Sequence, residues 1–288
     1  MNLFVIKILA FFSLIKIHNI IIVAIAQYLV ANFLIAPEKL FTDIIFNQTL
    51  LKLVLATFFT IAGGYIINSF FDAEKDQINR PKKYILDHTI PLRIKFFLYL
   101  IFNLIALLIA YFISIKAILF FGGYIFLIVA YSYYIKRFYW VSNIISAVLV
   151  VVPFFAITIH YKNFSLFIFY QALFLFLLIL IRDFIKDLEN FKGDWVHQYK
   201  TFPIVFNDKI TKYSISFLAI ALLLPIYKLI QFPILGTMRL FFLISIPFLI
   251  YIIIKIWQAK TQKNYLWCHN LIKTLILIGV FSIILVRF

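Results

Sequence analysis

The stretch NSFFDAEKDQINRPKK, Asn68 to Lys83, has a counterpart much later in the chain, RDFIKDLENFKGD, Arg182 to Asp194. Of the eleven acidic residues, nine fall in or just beyond these two stretches: Asp72, Glu74, Asp76 and Asp87, then Asp183, Asp187, Glu189, Asp194 and Asp208. Their surroundings are overwhelmingly apolar. A carboxylate in such a setting costs several kcal/mol unless it is paired, solvated or bound to metal. The two places that gather them are therefore the candidate site of chemistry.

The rest of the chain decides the fold class. At 65% apolar content and a mean hydropathy of +1.05 over 288 residues, it lies outside the range of soluble domains, where roughly half the residues are apolar. Hydrophobic runs of about 20 residues, enough to cross about 30 Å of hydrocarbon as a helix, recur throughout. The period-2 alternation of a membrane barrel is absent. The chain reads as an all-α integral membrane protein, a bundle of nine transmembrane helices. The spans are expected at Ile17 to Ile35, Leu50 to Phe71, Ile94 to Ile115, Ala117 to Ile135, Val141 to His160, Phe164 to Ile181, Tyr213 to Ile230, Leu240 to Ile256 and Leu271 to Val286. Met1 to Ile15, broken by Lys7, reads as an interfacial lead-in, although Ala24 and Ala26 also mimic a signal-peptide cleavage site. No soluble domain interrupts the pattern, so residues 1–288 read as one domain. Cys268 stands alone, which leaves no intramolecular disulfide or cysteine-clustered metal site and makes it a packing residue.

Nine spans put the N-terminus and the loops after the second, fourth, sixth and eighth helices on one side. That side carries twenty of the 27 basic residues; the other has Lys39, Lys52, Lys116, Lys162, Lys228, Arg239 and Arg287. The asymmetry is a positive-inside bias. It predicts a multi-pass protein of the cell (cytoplasmic) membrane with two cytoplasmic aspartate-rich motifs, and it explains the net charge of +16 without nucleic acid.

Asn68, Asp72 and Asp76 are spaced i, i+4, i+8, so their side chains stack on one face if the second helix continues through them. Asp183, Asp187, Asn190 and Asp194 line a face in the same way. Two such faces, opposed across a bundle, offer oxygen ligands only, which suits a hard cation. Magnesium in particular is held by one or two carboxylates plus substrate phosphates. The bases Arg80, Lys82, Lys136, Arg137 and Lys200 are placed to grip the remaining phosphate oxygens. A diphosphate held at the membrane surface with its tail in the bilayer fits this pattern, and aromatic faces, 20% of the chain, can stabilise the carbocation left by ionising an allylic diphosphate. A lone i, i+4 acidic pair at a helix end is ordinarily a solvated face. Two sets on the same side, holding most of the acids, weigh against that. His88 and His197 read as surface groups, and YSYYIKR, Tyr131 to Arg137, also fits a set of interfacial anchors.

With these residues assembled, the chain resembles the UbiA superfamily of intramembrane prenyltransferases. Its first motif is matched by Asn68, Asp72, Asp76, Arg80 and Pro81, its tyrosine and basic motif by Tyr131 to Arg137, and its second acidic region by Lys186, Asp187, Glu189, Asn190, Gly193, Asp194, Lys200 and Thr201. The resemblance covers essentially the whole chain. It implies that Asp72, Asp76, Asp187 and Asp194 are catalytic and hold Mg2+ with Asn190, Asp183 being a further candidate ligand. It also implies that Asn68, Arg80, Tyr131, Lys136, Arg137, Asn190 and Lys200 bind the substrate. Three positions depart from the pattern: Ser69 where many members have an acid, Gln198 where a glycine is usual, and Asn190 in place of an aspartate. As a neutral ligand, Asn190 is expected to weaken one metal site.

The KDLENFKGD pattern resembles the branch that includes digeranylgeranylglyceryl phosphate synthase and some quinone and chlorophyll prenyltransferases, and the N-terminal IKIHNIIIVAIAQYL resembles its glyceryl phosphate members. That implies Mg-dependent transfer of a polyprenyl group from a polyprenyl diphosphate to a lipophilic acceptor, geranylgeranylglyceryl phosphate, in ether-lipid synthesis. An aromatic quinone precursor such as dihydroxynaphthoate or hydroxybenzoate is the alternative acceptor. From other classes, a cation transporter or lipid-binding protein remains open, as does a homologue that binds prenyl diphosphate without turnover. Transporters place ionisable groups near the midplane on broken helices, whereas these acids lie at helix ends.

Overall fold

The structure, a computed structural model, describes residues 3–287, with the side chains of residues 5–286. Met1 and Asn2 of the expected lead-in, and the side chain of Arg287, lie outside the described residues. In chain order the α-helices are α1 (Leu3–Leu14), α2 (Ile17–Leu29, continued by a π-helical turn Val30–Ile35), α3 (Phe41–Ile45), α4 (Gln48–Phe71), α5 (Ala73–Asn79), α6 (Pro81–His88), α7 (Leu92–Tyr111), α8 (Ile115–Tyr133), α9 (Tyr139–Tyr161), α10 (Leu166–Glu189), α11 (Phe191–Val196), α12 (Phe202–Ala221), α13 (Leu223–Ile230), α14 (Arg239–Gln258) and α15 (Gln262–Ser282).

Among the described residues, nine helical segments are long and apolar enough to cross a membrane: Ile17–Ile35, Gln48–Phe71, Leu92–Tyr111, Ile115–Arg137, Tyr139–Tyr161, Leu166–Glu189, Phe202–Ile230, Pro233–Gln258 and Gln262–Val286. Each overlaps one expected span. The ends differ where charge begins. The sixth, expected to stop at Ile181, runs on to Glu189 because its charged residues find partners inside the fold. The seventh starts at Phe202 rather than Tyr213, and its helix is broken at Asn207 (φ 71°), whose Oδ1 accepts the Ile210 N–H at 3.0 Å and so caps the longer part.

The chain divides into two compact units, the boundary falling within α2. The first comprises residues up to Ile25 together with Ile45–Lys136. Its centre is α4, started by Asn47, whose Oδ1 accepts the Leu50 N–H at 2.8 Å. α4 packs chiefly on α7 and then α8. Gly63 and Gly64 permit the close approach: a Cβ on Gly63 would stand 3.1 Å from Asn103 Oδ1, and one on Gly64 3.0 Å from Ile128 Cγ2. Small residues at such crossings let backbones come together where burial against lipid supplies no drive. Within the stretch expected as an interfacial lead-in, α1 is a packed helix, with Ala10 and Leu14 buried against Ile20, Ala62 and Ile66 and Val5, Leu9 and Phe12 exposed on its other face.

The second unit comprises Ala26–Ile44 together with residues from Arg137 onward. α10 is its axis, contacting α9, α12, α13 and α15, and the run Leu178 to Ile181 is wholly buried. Gln27 Nε2 donates to the Pro153 carbonyl at 3.0 Å, joining the end of α2 to α9 at the proline inside that helix.

Candidate functional site

The first acidic stretch is built where α4 ends. The helix does not run straight through it: Asp72 (φ −96°, ψ 0°) is both the cap of α4 and the residue before α5. The i to i−4 bonding survives the break, because Asp72 N–H donates to Asn68 O at 2.9 Å, Asp76 N–H to Asp72 O at 2.8 Å and Arg80 N–H to Asp76 O at 2.8 Å. The expected spacing therefore holds although the helix is divided. Asp72 is gripped from two directions, with Asn68 Nδ2 donating to Oδ2 at 2.6 Å and Lys136 Nζ to Oδ1 at 2.7 Å. The Lys136 ammonium also lies 5.5 Å from the Phe71 ring centroid, a cation–π distance, and Phe71 meets Tyr133 edge to face at 5.5 Å. Asp76 accepts from Lys83 at 2.5 Å, and Lys83 stands 3.6 Å from Asp87.

Asp87, counted among the clustered acids but given no role of its own in the sequence, sits beside this pair. Burial pushes its carboxyl above the usual carboxylate range, the neighbouring Lys83 and Lys95 pull it back only in part, and Asp76 adds to the rise. Arg80, the half-buried residue between α5 and α6, is followed by Pro81 at the first position of α6, where its missing N–H is harmless. Tyr131 is half-buried on α8.

The second stretch repeats the plan in the other unit. α10 ends at Glu189, Asn190 (φ −93°, ψ 6°) caps it, and α11 begins at Phe191. Again the bonding continues, from Asn190 N–H to Lys186 O at 2.9 Å and from Asp194 N–H to Asn190 O at 3.1 Å. Asp187 Oδ2 accepts from Asn143 Nδ2 at 2.9 Å, and Ser142 Oγ donates to Asn143 Oδ1 at 3.1 Å. Asp183 accepts a fork from its own neighbour, Arg182 Nε at 3.0 Å and Nη2 at 2.8 Å. Glu189 Oε2 and His269 Nδ1 are 2.5 Å apart, and both residues are buried. Asn190 and Asp194 are buried as well, whereas Lys200 and Arg137 are exposed, Lys200 lying in an isolated parallel bridge with Phe138.

Sequence reasoning missed Asn143, His269 and Lys95, and it gave Lys83 and Asp87, which lie in or beside the first stretch, no partner. The signal for one of them was available: Asn143 is a polar residue inside the expected span Val141 to His160, where a polar group is costly enough to demand a partner.

Among the described residues, no group of three or more His, Cys, Asp or Glu side chains is gathered as a metal cage. Magnesium does not need one, since one or two carboxylates suffice when substrate phosphates complete its shell. Each stretch offers oxygen donors that fit that pattern, Asp72 and Asp76 a helical turn apart in the first and Asp187 and Asp194 on α10 and α11 in the second.

Residues 22–272 match the model of the UbiA prenyltransferase family. The digeranylgeranylglyceryl phosphate synthase of Methanosphaera stadtmanae is 29% identical over 209 residues, 73% of this chain and 73% of that protein. The one from Pyrococcus horikoshii is 30% identical over 203 residues, 69% and 70% of the two chains. In fold, a solved digeranylgeranylglyceryl phosphate synthase structure superposes with a TM-score of 0.72 at 20% identity, covering 97% of this chain and 98% of that one. A UbiA homologue from Archaeoglobus fulgidus bound to GPP and Mg2+ gives 0.70 at 16% identity, with 96% and 99% covered.

Proposed function

Because the chain belongs to the UbiA prenyltransferase family, we propose that this prenyltransferase moves a polyprenyl group from an allylic diphosphate to the free hydroxyl of geranylgeranylglyceryl phosphate, forming an ether lipid. One observation carries the acceptor: the relatives from Methanosphaera and Pyrococcus bear the same synthase name and align over about seven-tenths of both chains. The positive-inside asymmetry supports a multi-pass protein of the cell membrane with both acidic stretches at the cytoplasmic face, acting as a single domain over residues 1–288.

In this reading Asp72, Asp76, Asp187 and Asp194 hold Mg2+ and through it the donor diphosphate, with Asn190 as a neutral oxygen ligand and Asp183 in support. Bound Mg2+ supplies electrophilic neutralisation of the leaving diphosphate. That a homologue of this fold binds GPP and Mg2+ supports the pairing of metal and donor. The chain's own side chains do the rest. Asn68 orients Asp72 by donating to Oδ2, leaving Oδ1 to Lys136. Lys136, Arg80, Arg137 and Lys200 grip phosphate oxygens, and Tyr131 positions the donor head. Asn143 fixes Asp187 in one rotamer through its amide, so the carboxylate is set before substrate arrives. Phe71, beside Lys136 and in edge-to-face contact with Tyr133, offers with it ring faces to positive charge developing on the prenyl carbon.

The test is purified protein in nanodiscs with magnesium and radiolabelled geranylgeranyl diphosphate, offered geranylgeranylglyceryl phosphate and dihydroxynaphthoate in parallel. Ether-lipid product with the glyceryl phosphate and none with the aromatic is expected. Product with the aromatic alone would move the protein to quinone synthesis. Metal-dependent flux through proteoliposomes with no diphosphate released would refute transfer altogether.

A further inference from the structure

Lys83 holds a place in the first acidic stretch that the proposed chemistry leaves unused. It lies in the first turn of α6, with Nζ 2.5 Å from Asp76 Oδ2 and 3.6 Å from Asp87 Oδ2. The side chains of Lys83 and Asp76 are 23% and 17% exposed, so water reaches the pair without surrounding it. Asp87 is 5% exposed, its other oxygen makes no hydrogen bond, and buried Lys95 supplies further positive charge. One ammonium thus stands between two carboxylates, close to the first and within an ion-pair distance of the second. Since Lys83 and Asp87 are i, i+4 on the same helix, the ammonium can pass from one to the other by side-chain rotation alone, with no movement of the backbone.

We propose that Lys83 is an exchangeable counter-ion for Asp76: it holds that carboxylate until a divalent cation takes it, then withdraws onto Asp87. The inference rests on the reading of Asp76 as a metal-binding carboxylate. An ammonium and a divalent cation repel strongly when both crowd one carboxylate in a partly dry site, so metal entry requires Lys83 to leave. Apparent metal affinity is the intrinsic affinity reduced by the fraction of molecules in which Asp76 is open. Asp87 raises that fraction by giving the departing ammonium a partner. Lys83 and Asp87 therefore act on metal affinity with opposite signs, whereas a merely bracing ion triad would lose affinity with either residue.

The experiment titrates full-length protein in detergent with Mn2+ alone, without prenyl donor, and reads bound metal by electron paramagnetic resonance. Lys83→Gln is expected to bind Mn2+ about tenfold tighter, the gain when Asp76 is otherwise open in about a tenth of molecules. Asp87→Asn is expected to bind several-fold weaker. Lys82→Gln, which removes the exposed ammonium next door, should stay within about twofold of wild type because that charge is screened by water. If Lys83→Gln fails to fold, the double variant K83Q/D87N, neutral at both positions, takes its place and should also bind tighter than wild type. Equal or weaker binding by the folded Lys83 variant, shifts of the same sign in the two single variants, or a Lys82→Gln effect as large as that of Lys83→Gln would overturn the proposal. Asp76→Asn separates the layers. If it leaves Mn2+ binding at the wild-type level, the metal reading of Asp76 fails and takes this inference with it; if it weakens binding while Lys83→Gln changes nothing, only the exchange is wrong.

Discussion

In the first acidic stretch the carboxylates face lysines, Asp72 meeting Lys136 and Asp76 meeting Lys83, while in the second Asp187 meets the amide of Asn143 and Glu189 meets His269. Both stretches use the same backbone device, a long helix capped by one residue and resumed by a short one. The difference lies in what balances the charge and how deep it sits. Asp72 and Asp76 are partly exposed, whereas Asn190 and Asp194 are buried. An ammonium on a flexible stem is a mobile, strongly hydrated partner that another cation can replace. A buried amide on a packed helix is part of the frame. One stretch is therefore set up to exchange its counter-ions, and the other is preorganised by its neighbours.

The largest effect tests whether the two stretches are equal partners in the chemistry. Asp72→Ala and Asp187→Ala should each lower diphosphate release by at least about a hundredfold, the scale of losing one preorganised electrostatic group, in protein that still inserts and melts cooperatively. Normal turnover in both variants would remove the mechanism. Loss in one alone would show that a single stretch carries the reaction and that the shared backbone plan is only architecture.

Stability should separate the stretches next. His269→Ala withdraws the ring that faces a buried carboxylate and should cost about 3 kcal/mol, as breaking a buried pair does. Lys83→Ala acts on a pair nearer water and should cost about 1 kcal/mol or less, and less again at high salt. Thermal unfolding in detergent at two salt concentrations measures both. A larger loss at Lys83 than at His269 would reverse the assignment of exchange to one stretch and frame to the other.

Much of this was legible from the sequence, and the misses have physical causes. The nine spans follow from run length alone, because the bilayer sets a minimum helix length whatever the packing. The acids stood out because they are scarce. The end of α10 was misplaced by eight residues, between Ile181 and Glu189, because hydropathy stops at Arg182 and Asp183. The helix continues because Arg182 pairs with Asp183 and Asn143 takes up Asp187. The Lys83–Asp87 spacing was visible in the sequence. The Asp76–Lys83 contact was not, since it reaches across the bend at Arg80 and Pro81, where helical periodicity no longer places side chains. His269 stands eighty residues from Glu189, and no local pattern joins them.

The smallest effect asks how firmly Lys83 is committed to Asp76 rather than Asp87. Asp87 has its folded pKa raised, with burial outweighing the attraction of Lys83 and Lys95, so its ionised form is the one the fold disfavours. For an acid raised in this way the native state binds the proton more tightly than the unfolded chain, and stability increases as pH falls through the raised value, the gain being complete below the ordinary carboxylate range. Asp87→Asn, neutral at every pH, lacks that term. Wild type should therefore be no more stable than Asp87→Asn at neutral pH and should gain on it steadily under mild acid, as read by paired thermal melts across that range. The opposite slope, with wild type losing ground to Asp87→Asn on acidification, would mean that Asp87 already holds Lys83 in full. Asp76 would then be open without metal, and the first stretch would be as preorganised as the second.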